Sequence, residues 1–397
     1  MSYKIKRTDD RIYVNMILQN NKLYDYTEIP VFNATFDYEV HEQILDDPEN
    51  YQVAVESLTI PITNIPLWRP IIQPNLPPFN NTDVNKTMYS FTLVYSDGVN
   101  PPTETPQTYM NFVSQNPNIY KKPLNATNVR QDNYSSYYEI FTYSAIINMM
   151  NACIYSAYDN LVIALGLDRN IYLPPYFTFD PNTSLISLVA TKAFYDNEIK
   201  FDPPNLVPKI EIYCNYYMFE LLLSLPQVYQ ASDTVATLNG KDVQLSVYNQ
   251  HNNVISPSDL PSVDPGEYYE MKQNFSTLPS LSPIKSIAVF TRTMPISSEF
   301  SPNTPFNSFT NQGVMNKLKI LHDFEPLQFT KVISGRNYIQ YKSPKFSLMD
   351  LSGSTKIQHL DITLYWKDIY GQYHIIALNN NQPANVRIVF IRKGSMI

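Results

Sequence analysis

Glycine is nearly missing from this chain: 9 of 397 residues, against a usual share of about 7%. Phosphate-cradling and active-site turns draw on glycine, and no phosphate-loop, dinucleotide, zinc-protease or nucleophile-elbow motif occurs. Charge is scarce too, at 16% where soluble domains carry about 25%. The two cysteines, Cys153 and Cys214, stand far apart without paired or Cys/His spacing. That excludes a disulfide framework or zinc knuckle and leaves buried free thiols. No apolar run reaches the about 18 residues of a membrane span. The opening MSYKIKRTDD lacks the apolar stretch of a secretion signal. Synthesis and assembly in cytosol or nucleus are therefore expected. The N-x-S/T triplets at Asn33, Asn80, Asn85, Asn125, Asn133, Asn182 and Asn274 would then stay unmodified. Basic clusters are also short, Lys4-Lys6-Arg7 and Arg392-Lys393, in a chain of net charge −7. Direct genome binding is not expected of it.

What is present points elsewhere. Apolar residues make up 44%, enough for a large core, and Tyr and Pro number 31 each. Few charges with many aromatics suit a subunit that hides surface against neighbours, because interface centres lose charge and gain rings. The most informative stretch is 355–393. Leu360, Ile362, Leu364 and Trp366 fall on every second position, which places them on one sheet face with Asp361, Thr363 and Tyr365 on the other. Tyr370-Gly371 supplies a turn, 374–378 runs back, and Val386, Ile388 and Phe390 alternate in a third strand.

Earlier strands read at 11–18, with Ile12, Val14, Met16 and Leu18 alternating, and at 31–40, 51–60 and 88–96. The 51–60 strand ends at Pro61, and a proline-rich loop runs to Phe79. Residues 99–138 read as an ordered surface excursion rich in Asn, Pro and Tyr. One helix is predicted over 144–165. Its buried stripe is Ile146, Met150, Cys153, Ala157, Leu161 and Leu165, with Ser144 as cap and Gly166 as left-handed stop. Further strands are expected at 183–191, 209–213, 243–248, 284–291, 317–322 and 336–341, a short helix at 218–226, and a Ser/Pro/Asp loop at 249–266. About a dozen strands with one substantial helix give an all-β class, a β sandwich with insertions. The expected organisation is sandwich strands in 1–98, an insertion with the helix in 99–230, and closing strands in 231–397.

Candidate chemistry is sparse. His322-Asp323, and His359 with Asp361, come closest to a constellation; His359 and Asp361 would share a strand face and form surface hydrogen bonds. Asp46, Asp47 and Glu49 offer carboxylates on one loop, but Pro and Asn around them read as a solvated turn. The pairs Tyr137-Tyr138, Tyr216-Tyr217 and Tyr268-Tyr269 should put one ring inside and one outside if they lie on strands. No catalytic, cofactor-binding or metal residue is nominated.

LDITLYWKDIYGQYHIIAL followed by VRIVFIRK resembles the C-terminal strands of jelly-roll capsid proteins from virophages, polinton-like viruses and related eukaryotic DNA viruses. DPENYQVAVESLTIPITNIPLWRP is similar to an early strand and its proline-rich exit in those proteins. The central helix followed by PPYFTFDPNTSLISLVA fits an insertion of the kind they carry. The resemblance implies a jelly roll of two four-stranded sheets, icosahedral assembly, residence in the virion, no enzymatic activity and contacts made by interstrand loops. It leaves two shell roles open. A penton-type or minor subunit has one roll plus insertions and forms pentamers; a major capsid subunit has a double jelly roll and trimerises. Two rolls need about sixteen strands, so the strand count favours one. A receptor-binding fibre or turret shares the virion setting, and a carbohydrate-binding β sandwich is the alternative from another class.

Overall fold

The computed structural model describes residues 2–18, 31–39, 43–75, 77, 79, 81–115, 121–124, 135–166, 174–191, 194, 209–229, 240–245, 268–296, 319–325, 330–333, 336–379 and 382–395. The chain divides into two compact units. One joins Met1–Pro66 to Pro283–Ile397, and the other is Leu67–Ser282.

The first unit is built on eight strands: β1 (Arg11–Leu18), β2 (Thr35–Glu39), β3 (Tyr51–Pro61), β4 (Ile284–Thr291), β5 (Lys319–Phe324), β6 (Arg336–Lys342), β7 (His359–Asp368) and β8 (Ala384–Arg392). Antiparallel pairing joins first to last, second to seventh, third to sixth and fourth to fifth. That is one long two-stranded ribbon. Pairing of β8 with β3 and of β7 with β4 rolls the ribbon into two sheets, β1-β8-β3-β6 and β2-β7-β4-β5. This double Greek-key wrap is a jelly roll. Strand Ser2–Arg7 extends the first sheet beyond β1, and Thr330–Ile333 extends it beyond β6.

Alternation puts the core between the sheets. Ile12, Val14, Met16 and Leu18 of β1, Leu360, Ile362, Leu364 and Trp366 of β7, and Val386, Ile388 and Phe390 of β8 are all buried in one cluster. The outer faces are not bare. Phe290, Tyr365 and Tyr373 pack edge to face over the second sheet, and Phe346 and Leu348 cover Ala54, Val389 and Ile391 on the first.

The second unit has its own core, from Trp68 and Phe91 to Leu278. Its larger sheet runs in the order Gln227–Tyr229, Val243–Leu245, Lys209–Cys214, Lys86–Ser96, Thr103–Glu104, with Thr108–Asn111 also beside Lys86–Ser96. A three-stranded sheet orders Tyr268–Lys272, Leu185–Thr191, Tyr176–Asp180. Phe91 of the first stacks on Phe177 of the second at 5.6 Å between ring centroids. Helix α1 (Tyr143–Leu165) buries Ile146, Met150, Cys153, Ala157 and Leu161 here. Its Asn151 bonds both the amide (2.6 Å) and the carbonyl (2.9 Å) of Phe177, standing in for a neighbouring strand. Gly166 ends α1 at φ 65°, a left-handed position that suits glycine. Helix α2 (Tyr216–Leu221) starts at Asn215, whose side chain accepts from the Met218 amide.

Several expectations differ from this arrangement. The expected divisions after residues 98 and 230 lie elsewhere, after Pro66 and Ser282. Strand Lys86–Ser96 pairs with Lys209–Cys214 rather than with the roll, and Val243–Leu245 joins the same sheet. Residues 99–138 are not wholly a surface excursion, because Met110, Phe112, Tyr137 and Tyr138 are core residues. Both rings of Tyr137-Tyr138 go inside because the pair sits on a single 3-10 turn, not a strand. Thr142, not Ser144, is the cap residue of α1. The alternative of two jelly rolls is not what the described residues form: the eight-strand ribbon pairing occurs in the first unit, and the second has six- and three-stranded sheets. The 249–266 loop, His41, His251, Asn80, Asn125 and Asn133 lie outside the described residues, as do the side chains of Tyr268 and Tyr269.

Candidate functional site

Two buried carboxylates brace the two ends of β7, Asp361 on its outer face and Asp368 on the side that carries Trp366. Asp361 of β7 is 1% exposed. It accepts from the Thr291 hydroxyl (2.8 Å), the Arg292 amide (2.7 Å) and Nε (3.1 Å), and the Thr293 amide (2.8 Å) and hydroxyl (2.5 Å). Burial alone would raise its pKa; the hydrogen bonds from Thr293, Thr291 and the two amides outweigh that and hold it below the usual carboxylate value. Arg292 reaches on to Asp37 of β2 (3.0 Å), and His359 Nε2 meets the other Asp37 oxygen at 2.6 Å. His359 and Asp361 thus bind different partners rather than each other. The cluster fastens the end of β4 across β7 to β2.

Asp368, at the far end of β7, shapes the turn that follows. Its side chain accepts from the amides of Tyr370 (2.9 Å) and Gln372 (2.8 Å) and faces His374 Nε2 at 3.1 Å. Burial opposes its ionisation, yet these bonds keep its pKa low. Gly371 turns the chain at φ 84°, and the Ile369 amide donates to Pro283 (3.2 Å). His374 stacks on Trp366 at 4.1 Å. The turn so fixed holds Ile369 and Tyr370 out at 60% and 65% exposure. Two large apolar side chains on a braced turn lose little entropy on docking, which suits a contact point. The sequence suggested the turn but not the role of Asp368, whose only signal was an acid just before Tyr370-Gly371.

The other candidates are dispersed. His322 does not pair with Asp323; its Nε2 meets the Tyr341 hydroxyl at 2.7 Å, and burial lowers its pKa. Asp46 stands 3.7 Å from Lys356 on an exposed loop. Among the described residues no group of His, Cys, Asp or Glu side chains is gathered as a metal site. Burial pushes the Cys153 thiol up to about 12 and raises that of Cys214, so neither is a thiolate nucleophile at neutral pH. Carboxylates saturated with donors and held ionised are structural clamps, not proton carriers.

Comparison with known proteins bears on this arrangement. The chain matches the family described as Sputnik minor capsid protein V18/19 over residues 12–392. It is 32% identical over 220 residues to structural protein V19 of Sputnik virophage, covering 55% of this chain and 94% of that protein. It is 32% identical over 146 residues to the uncharacterized Sputnik protein V18, covering 35% and 79%. A chain in the 3.5 Å cryo-EM structure of the Sputnik virophage superposes with TM-score 0.74 at 29% identity, over 97% of this chain and 99% of that one. The mavirus penton protein crystal structure shares the fold, with TM-score 0.56 at 14% identity, over 96% and 99%.

Proposed function

This chain belongs to the Sputnik minor capsid protein V18/19 family, and from that membership we propose that it is a penton-type subunit which associates with its own copies into rings in an icosahedral shell. It is a structural component of the virion rather than an enzyme. The observation that carries the reading is the match over residues 12–392 coinciding with a single jelly roll whose β3–β4 connection holds the whole insertion. The family assignment replaces the carbohydrate-binding alternative.

The physics of assembly follows from the surface. Each contact contributes little, but a subunit held by several neighbours gains them together. Low charge density limits repulsion between copies, while a net charge of −7 keeps free subunits soluble. Neighbouring capsid proteins are the other partners, and genome neutralisation falls to a different protein. Light scattering after size exclusion tests self-association across a concentration series. The expected result is a multimer that grows in with concentration. A monomer at every concentration would count against the reading.

A further inference from the structure

We propose that the outer face of the first jelly-roll sheet is a contact surface for the acidic inserted unit of a second copy of this chain. The inference rests on the subunit reading above and says which two surfaces meet.

Five strands in register carry a row of cations across this face. Lys4 of strand Ser2–Arg7 stands opposite Asn15 of β1, and Asn15 opposite Arg387 of β8. Arg387 stands opposite Ser57 of β3, and Ser57 opposite Lys342 of β6. With strands about 4.8 Å apart the row is about 19 Å long. Its side chains point outward, because the residues that alternate with them, Val14, Met16, Leu58, Tyr341 and Ile388, are core. Lys6, two residues on from Lys4, adds a fourth cation. Lys4, Lys6 and Lys342 are exposed, and the Arg387 side chain is 46% exposed. The acid within these rows is Glu56, at the bulge of β3 and 3.5 Å from Arg387. The next row, Ile17, Asn385, Thr59 and Gln340, carries no charge. Lysines on an edge strand guard against stray pairing, but Arg387 lies in the middle of the sheet, where no edge needs guarding.

Charge complementarity names the occupant. The acidity of the chain is unevenly placed. Leu67–Ser282 has 19 Asp and Glu against 11 Lys and Arg, whereas the two stretches that form the roll have 17 against 18. A cationic sheet on one copy and an acidic inserted unit on the next are different, matching patches, and opposite potentials steer such surfaces together. A pair of unlike patches is a heterologous contact, the kind that closes rings. Nucleic acid fits less well. Four cations would neutralise few phosphates, and a chain of net charge −7 repels a long polyanion.

The test uses the full chain. Light scattering should show the parent multimer dissociating as salt rises from about 0.05 to 0.5 M, because salt screens contacts between exposed charges. The double variant Lys4→Glu with Lys342→Glu should lose the multimer at low salt, with a melting temperature within a few degrees of the parent. Lys4→Arg with Lys342→Arg should keep it. Carbodiimide, which joins a lysine amine directly to a carboxylate, is applied to a mixture of nitrogen-15-labelled and unlabelled parent chains. Mass spectrometry should find isotopically mixed links from Lys4, Lys6 or Lys342 to an Asp or Glu of 67–282, and this decides the matter if the Glu variant melts early. A parent multimer that withstands salt and survives in the Glu variant overturns the assignment of this face alone. So does a multimeric parent whose mixed links are absent or end on acids of 1–66 or 283–397. Single-stranded DNA bound by the parent and released by the Glu variant, with the multimer intact in both, also overturns it in favour of nucleic acid. A parent chain that is monomeric at all concentrations overturns both this assignment and the self-association reading.

Discussion

Asp361 accepts from five donors of one stretch, residues 291–293, and is buried. Removing it would leave buried amide and hydroxyl donors of residues 291–293 unsatisfied, while Arg292 keeps Asp37, so Asp361→Ala should cost about 1–3 kcal/mol, the range for unsatisfied buried donors. Guanidinium unfolding measures this; a loss under about 1 kcal/mol would mean that the clamp is not what secures β4. Two pH dependences of opposite chemistry follow. Asp361 and Asp368 have folded pKa values below the ordinary 3.8. Their contribution is complete above about 3.8 and disappears as pH falls through the lower folded values, so Asp361→Asn should flatten the acid limb of stability below pH about 4. His322 also has a lowered value, but as a base it is favoured neutral. Its contribution is complete above about 6.5 and declines as pH drops toward its folded pKa. Replacing it with Gln should remove the slope in melting temperature just below pH about 6.5; an unchanged slope would place the titration elsewhere.

At the scale of elements, the sandwich depends on the inward faces of β7 and β8. Trp366→Ala or Phe390→Ala should lose about 3–5 kcal/mol of packing, read as a lower denaturant midpoint at constant slope. A fully stable Phe390→Ala would contradict the inward assignment. These strands were legible because Leu360, Ile362, Leu364 and Trp366, and Val386, Ile388 and Phe390, recur on every second position, although Tyr365, Val389 and Ile391 on the other face are covered too. Strand Lys86–Ser96 was legible as a strand but not as part of the insertion. It is buried on both faces, so alternation is lost, and its partner Lys209–Cys214 lies more than a hundred residues on. Pattern names an element; only tertiary pairing names its sheet. Asn151 illustrates the same limit, since an amide in a helix reads as solvent-facing while here it completes an edge strand. Asn151→Ala should destabilise the inserted unit by about 2 kcal/mol, the cost of leaving two backbone groups unpaired.

For the whole molecule, fold class and family were within reach of the sequence because closing strands, proline-rich exit and single helix occur together in one chain. The extent of the insertion was not, because its first residue, Leu67, falls inside the proline-rich loop and its last, Ser282, lies between a 3-10 turn and β4, where no strand pattern marks a change of unit. Ring size depends on how identical surfaces meet, a matter of symmetry rather than of any one residue. The central claim is that one jelly roll with its inserted unit closes rings of identical subunits. Class averages of the purified chain by negative-stain electron microscopy test it most directly. Five-fold rings are the result expected; isolated particles at every concentration, or three-fold capsomers, would contradict it.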